Sequence, residues 1–318
     1  MKILFMGTPD LAKECLRAVH EKEGVEIVGV VTQTDKQKGR GMKFVFSPVK
    51  EYALEHNLPV YQPQTLKDGA FQSVLDELKP ELIIVAAYGK LLPPYVLEYP
   101  KYGCINAHGS LLPKYRGAAP IQRAIINGET QTGITSMYMA EGLDTGDMIL
   151  KLTCPIEDTD DFGTLHDKLA VLAGEAMCLT IDRISSGTVT REVQPEEGVC
   201  YAAKIEKEDT VIDFNRSPRD VVNLIRGLSP MPYAMTKTPD GKLLKLTNAV
   251  VVDENCSEEA GKVLELGTAG EGKIVISCGG GKIAVTGVVP EGKKRMAAAD
   301  FIRGRKISVG DMLGAQND

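Results

Sequence analysis

The sequence predicts an α/β domain with a mainly parallel sheet, followed by a small β-barrel domain. Three observations carry this. Short apolar runs alternate with helix-period segments through residues 1–186. One of those runs, Leu82 to Ala87, is almost continuously apolar, as a strand buried on both faces is. Beyond residue 205 the pattern changes to short strands at regular spacing, broken by glycines. The expected division is a first domain over 1–186, a linker over 187–205 and a second domain over 206–318.

Each element follows from local signals. Lys2 to Met6 is an apolar run closed by Gly7, and Thr8-Pro9-Asp10 offers a capping residue and then proline in the first helical position. Leu11, Cys15, Ala18 and Val19 recur at helical spacing, and Glu26 to Val31 reads as a second strand. Gly7-Thr8-Pro9-Asp10 lacks the second and third glycines of G-x-G-x-x-G, which argues against a nicotinamide dinucleotide. Residues 33–46 have no period and contain Gly39-Arg40-Gly41, so a mobile loop is expected there. Lys36, Lys38, Arg40 and Lys43 face one acid, Asp35, in that loop, and both a solvated connection and a contact with a polyanion stay open.

Ser47-Pro48 starts a helix that runs to His56, and Phe71 to Leu78 forms another. The segment Tyr88-Gly89-Lys90-Leu91-Leu92 follows the apolar strand and should lie at the same sheet edge as Gly109 to Pro113. Two strand ends then converge on one crevice, where open α/β sheets bind ligands. Pro120 opens a helix to Asn127. Gly133 to Met139 is a strand that delivers Glu141 to Asp147 as its terminal loop, and Met148 to Cys154 returns. Phe162 to Ser186 has the length and spacing of a long helix, and Gly187, Pro195 and Gly198 mark the linker. In the second half Ser217 to Leu228 is helical. Residues 234–238, 243–251, 261–266, 273–277 and 282–288 are strands, of which an oligonucleotide-binding (OB-like) barrel is one arrangement.

Composition narrows the class. No stretch approaches the ~20 apolar residues that span a bilayer, so a cytoplasmic location is the expectation. The seven cysteines show no C-x-x-C pair and read as reduced thiols. The net charge of −6 looks wrong for a nucleic-acid binder, but it is unevenly spread. From Glu206 onward 16 basic and 16 acidic residues balance, so the excess acid lies before it. Lys293-Lys294-Arg295 and Arg303-Gly304-Arg305-Lys306 add a basic cluster to the tail.

The chemistry gathers around Cys104-Ile105-Asn106-Ala107-His108-Gly109-Ser110 and Gly142-Leu143-Asp144-Thr145-Gly146-Asp147. In a strand, residues two apart share a face, so Asn106 and His108 present an amide and an imidazole side by side. A lone strand Asn or His is usually a satisfied structural residue, and the pair leaves both readings open. Asp144 supplies a carboxylate that can fix the imidazole's tautomer or hold it protonated. Such a set suits direct group transfer, with amide and imidazolium stabilising an oxyanion while a carboxylate moves a proton. His20, His56 and His166 read as surface residues with no metal-ligand spacing, and Asp158, Asp160 and Asp161 lack the remainder of a calcium loop. No metal is expected.

Met6-Gly7-Thr8-Pro9, Gly39-Arg40-Gly41, Ser47-Pro48-Val49-Lys50, Ala87-Tyr88-Gly89, Asn106-Ala107-His108, Ser110-Leu111-Leu112-Pro113 with Arg116-Gly117, and Gly142 to Asp147 together resemble the methionyl-tRNA formyltransferase family. Gly292-Lys293-Lys294-Arg295-Met296 and Ala298-Ala299-Asp300-Phe301 extend the resemblance through the second half. It implies a Rossmann-like first domain that binds 10-formyltetrahydrofolate as co-substrate and a barrel that helps bind initiator tRNA. By the same resemblance Asn106, His108 and Asp144 are the catalytic set, and Ser110, Leu111, Leu112 and Pro113 line the folate site, with Tyr88 and Gly89 at the neighbouring strand end. Arg40 matches an arginine that inserts into the tRNA acceptor end, and Lys38 and Lys43 flank it. Tyr115 departs from the family pattern, standing where many relatives have tryptophan, and keeps an aromatic face. A monomer is expected. The alternatives are a formyl-folate hydrolase, a transferase acting on a sugar nucleotide or purine precursor, and a non-catalytic RNA-binding module.

Overall fold

The computed structural model describes residues 1–38 and 43–314. The chain forms two compact units. The first comprises residues 1–120, 131–155 and 166–203, and the second comprises 121–130, 156–165 and 204–318.

The first unit opens with β1 (Lys2–Gly7), α1 (Asp10–His20) and β2 (Glu26–Val31). Pro9 stands one place earlier than the sequence suggests, at the N-cap of α1, and no side chain caps that helix. Next come β3 (Lys36–Lys38) and β4 (Lys43–Val45), then α2 (Pro48–Glu55), capped by the Ser47 hydroxyl, which accepts from Lys50 N at 3.1 Å. β5 (Val60–Tyr61), α3 (Gln72–Leu78), β6 (Leu82–Ala86), α4 (Pro94–Leu97) and β7 (Cys104–His108) follow. β8 (Arg116–Gly117), α5 (Pro120–Ile126), β9 (Gln131–Tyr138), β10 (Met148–Pro155) and α6 (Phe162–Ser185) lead to β11 (Tyr201–Ala202).

Seven strands make one sheet in the order β10-β9-β7-β6-β1-β2-β5. From β7 to β5 all neighbours are parallel, while β9 runs antiparallel to both β7 and β10. The central strands are apolar throughout because both of their faces are covered: β6 is buried at all its positions. One core patch joins Leu4, Met6, Leu75, Ile83, Val85 and Val96, all buried.

Two sequence expectations change. Residues 33–46 do not form a featureless loop, since β3 and β4 pair antiparallel with Lys36 opposite Val45 and Lys38 opposite Lys43. Strands of three residues are too short to show a hydrophobic period. Arg40 lies outside the described residues. The stretch read as a linker also carries structure. β11 pairs parallel with β8, and Ala118 N and Ala119 N both donate to Ala202 O, so the chain up to Ala203 stays with the first unit.

The second unit follows with a short 3-10 turn at Glu208–Thr210, then α7 (Pro218–Gly227), β12 (Ala234–Lys237), β13 (Leu243–Asp253), β14 (Val263–Gly267), β15 (Lys273–Cys278), β16 (Gly281–Pro290), β17 (Met296–Ala297) and α8 (Ala298–Arg303). The sheet order is β12-β13-β16-β15-β14, with β17 also on β16, and all these pairs are antiparallel. This is a barrel-like antiparallel sheet domain. Its core takes Val221 and Ile225 from α7, Leu244 and Leu246 from β13, Ile274 and Ile276 from β15, and Phe301 from α8. Lys293, Lys294, Arg303, Arg305 and Lys306 are exposed. Among the described residues no helix is long and apolar enough to cross a membrane.

Candidate active site

The site begins on β7, whose position between parallel β6 and antiparallel β9 fixes both polar side chains. Asn106 lies opposite Val85 and Met137, and His108 opposite Thr135. The carboxamide of Asn106 is half-buried and makes no hydrogen bond to the described residues. His108 is only 5% exposed. Its Nε2 lies 2.9 Å from the Tyr115 carbonyl oxygen, which can only accept, so Nε2 carries a hydrogen and donates. Its Nδ1 lies 3.6 Å from Asp144 Oδ2. Nε2 is therefore committed to a carbonyl, while Nδ1 faces a carboxylate oxygen beyond hydrogen-bond distance.

Asp144 reaches His108 from the loop after β9. Its backbone is left-handed, with φ of 51°, a conformation Asp and Asn tolerate better than most residues. Its Oδ2 accepts from Gly117 N at 2.8 Å. The loop closes tightly, since Tyr138 N donates to Asp147 O at 2.8 Å and a Cβ on Gly146 would stand 1.8 Å from Tyr138 O. Gly146→Ala should therefore shift the loop. We expect it to destabilise the protein by about 1–3 kcal/mol, read as a lower urea midpoint, with reduced activity.

The segment after β7 is self-braced. The buried Ser110 hydroxyl donates to Lys114 O at 2.6 Å, while Thr135 Oγ1 donates to Ser110 O at 2.6 Å and accepts from Leu112 N at 3.1 Å. Leu112 packs on Met137 and Met148. Ser110 and Leu112 thus shape this loop, and Leu111 and Pro113 are its partly exposed members. At the end of β6, Tyr88 turns its ring into the core and is 1% exposed; burial pushes its phenol up to about 12. What Tyr88 offers at the strand end is its carbonyl, which accepts from Gln33 Nε2 at 2.8 Å. Gly89 follows with φ of 77°, and a Cβ there would meet that same Gln33 Nε2 at 2.7 Å.

Gln33 links this strand end to the base of the β3–β4 hairpin. Gln62 Nε2 donates to Gln33 O at 2.8 Å and to Asp35 Oδ1 at 2.9 Å, and Lys50 Nζ donates to Asp35 Oδ2 at 2.6 Å. Burial raises the Asp35 carboxyl, yet the hydrogen bonds from Lys50 and Gln62 outweigh it and hold the group below its ordinary range. Lys38 and Lys43 lie on β3 and β4 beyond this base.

No group of three or more His, Cys, Asp or Glu side chains among the described residues could hold a metal. The site instead combines a free amide donor, an imidazole with its orientation fixed, and a carboxylate beside it. That is equipment for moving a proton and stabilising a developing oxyanion.

Family models described as "Formyl transferase" and "Formyl transferase, C-terminal domain" match residues 1–181 and 204–306. Curated relatives named methionyl-tRNA formyltransferase match both units at once. One from Geobacter metallireducens is 45% identical over 99% of this chain and 99% of its own length. Another from Caldanaerobacter subterraneus is 47% identical over 98% of this chain and 100% of its own length. The chain belongs to the methionyl-tRNA formyltransferase family.

Solved structures share its fold at lower identity. A Helicobacter canadensis N-formyltransferase in complex with folinic acid and dTDP-3-aminofucose is 20% identical, with a TM-score of 0.65 over 90% of this chain and 98% of that one. HypX from Aquifex aeolicus in complex with tetrahydrofolic acid is 18% identical, with a TM-score of 0.63 over 95% of this chain. The present chain spans 47% of that HypX chain.

Sequence reading missed the groups that hold this family's site together here. The Tyr115 carbonyl and the Gly117 amide are backbone atoms, which no residue identity announces. Gln194 was invisible for another reason. It lies in a stretch without period, yet its side chain donates to Asp144 O and Gly146 O.

Proposed function

We propose that this chain transfers the formyl group of 10-formyltetrahydrofolate to the α-amine of methionine esterified to initiator tRNA, giving N-formylmethionyl-tRNA. The observation that carries the reading is the meeting of Asn106, His108 and Asp144 at one strand end, in a chain whose family match runs through both units. The co-substrate would lie along Leu111, Pro113 and Gly89, with Ser110, Leu112 and Tyr88 shaping the loops beneath it.

The chemistry follows from the three side chains. The neutral α-amine attacks the formyl carbon, so a carbon–nitrogen bond forms and the carbonyl electrons move onto oxygen. Asn106 donates its free amide hydrogens to that oxygen. His108 has Nε2 committed to Tyr115, which leaves Nδ1 as the donor shared between Asp144 and the developing oxyanion. At 3.6 Å the Nδ1 to Oδ2 separation exceeds a hydrogen bond, so Nδ1 is available for that second partner. Asp144 stabilises the imidazolium and accepts the proton released by the amine. Cleavage of the bond to the folate nitrogen, which takes up a proton, completes the transfer.

RNA recognition draws on Lys38, Arg40 and Lys43 in the sequence of the first unit and, separately, on the exposed basic residues Lys293, Lys294, Arg303, Arg305 and Lys306 of the second unit, local positive charge on a net-acidic protein. We infer that the chain acts as a monomer in the cytoplasm. Arg40→Ala should raise KM for the tRNA with little change in KM for the folate. An unchanged dependence of rate on tRNA concentration would leave the hairpin a solvated connection.

The fold is shared with sugar N-formyltransferases, so acceptor choice is the test. Supplied with 10-formyltetrahydrofolate and both methionyl initiator tRNA and a nucleotide-linked amino sugar, the enzyme should formylate the tRNA. Formylation of the sugar amine instead would overturn the reading.

A further inference from the structure

We propose that Gln194 is a positioning residue that locks the Asp144 loop into its reactive conformation, an inference that rests on the role given to Asp144 above. Gln194 is 8% exposed, and every hydrogen-bonding function of its amide is directed at this site. Its NH2 group spans two carbonyls, Asp144 O and Gly146 O, each at 2.8 Å. Its Oε1 accepts from Arg116 Nε at 3.0 Å and Nη2 at 2.8 Å. The residue after Arg116 is Gly117, whose amide holds the Asp144 carboxylate. A closed ring results: from the Asp144 carboxylate to Gly117, through the chain to Arg116, across to Gln194, and back to the Asp144 carbonyl.

The ring has a purpose that the local sequence cannot serve. Asp144 sits at positive φ between exposed neighbours, Leu143 and Thr145, so packing of the adjacent side chains does little to hold this backbone, although the Asp144 side chain itself is largely buried. A side chain from a distant part of the chain supplies that fixation only if it is anchored itself. Gln194 is anchored, because Glu192 pairs with Met148 through both N–H···O bonds, at 2.9 Å and 2.8 Å, and the Arg191 guanidinium lies 3.8 Å from the centre of the Tyr138 ring. The segment 191–194 is therefore a strap across the sheet edge, with Gln194 turned onto the loop.

The donor face of the amide is the part that matters, and this separates positioning from mere packing. Gln194→Glu keeps the length of the side chain and strengthens its bond to Arg116, but it sets a carboxylate against two carbonyl oxygens. Gln194→Ala removes both faces. Both variants should lower kcat at least tenfold, while KM for 10-formyltetrahydrofolate changes less than twofold. Gln194→Ala in an Asp144→Asn background, followed in a single turnover, should cost far less than it does alone, because residues that act as a unit are not additive.

Circular dichroism and the urea midpoint confirm the fold of each variant, and Gln194→Glu, being isosteric, keeps the test open if Gln194→Ala unfolds. A Gln194→Glu enzyme with wild-type kcat, or a Gln194→Ala loss that is undiminished in the Asp144→Asn background, would overturn the inference. Wild-type turnover by Asp144→Asn itself is a different result, and it would remove the underlying role of Asp144.

Discussion

Replacing Asn106 by alanine should reduce kcat by about 10²–10³, equivalent to roughly 2.7–4 kcal/mol of transition-state stabilisation, the range found when one oxyanion donor is removed elsewhere. Structural cost should be small. The Asn106 amide has no hydrogen-bonding partner among the described residues, so its loss leaves no orphaned group behind. Its backbone pairing with β6 and β9 is unaffected by the side chain. A donor used only when charge develops on the substrate oxygen lowers kcat and kcat/KM together, and KM for the folate should scarcely move. Steady-state kinetics on a protein with an unchanged urea midpoint would check this. Near wild-type kcat would exclude Asn106 from the oxyanion site.

Asp144→Asn should cost more, about 10²–10⁴ in kcat, the usual span for loss of a general acid–base group. The substitution is clean for structural reasons. Asparagine tolerates the left-handed backbone at φ 51°, its carbonyl oxygen can still accept from Gly117 N, and the two Gln194 bonds go to main-chain oxygens that it retains. Only the charge and the proton acceptor disappear. His108 then loses the anion 3.6 Å from its Nδ1. Both effects act on the chemical step, so rapid-quench measurement at saturating substrates is the appropriate check. A burst rate equal to wild type would show that the proton leaves by another route.

Much of this was legible in the sequence, for identifiable reasons. Strand β7 is a short segment in which Cys104, Ile105 and Ala107 alternate with Asn106 and His108 before Gly109, and α6 declares itself over 24 residues by its length and spacing. The strands of the second unit are separated by Asp240-Gly241 and Gly279-Gly280-Gly281, and Gly241 and Gly280 do adopt positive φ, of 78° and 81°. What escaped was whatever depends on pairing across distance. The two-residue strands β8 and β11 exist only because they meet each other, and their sequences Arg116-Gly117 and Tyr201-Ala202 carry no period. Strands β3 and β4, at three residues each, are too short to stand out. The second unit takes in residues 121–130 and 156–165, so its composition cannot be read from one continuous stretch.

The same limit applied within the site. Asp144 was found because its flanking glycines marked a functional loop, but its supports were not. Gln194 reads as one polar residue among many until the strap places it on the Asp144 loop. Ser110 and Tyr88 are expected at the folate site from the family resemblance. The Ser110 hydroxyl braces its own loop and the Tyr88 ring enters the core, contacts that depend on the folded chain and not on local pattern.

The most direct test of the central claim is to follow consumption of 10-formyltetrahydrofolate by the purified enzyme with and without methionyl initiator tRNA, measuring formylmethionyl-tRNA in the same samples. Consumption matching the product formed, and negligible without the tRNA, is the predicted result. Folate turnover at a comparable rate in the absence of tRNA would contradict the account, because Asn106, His108 and Asp144 would then be delivering the formyl group to water.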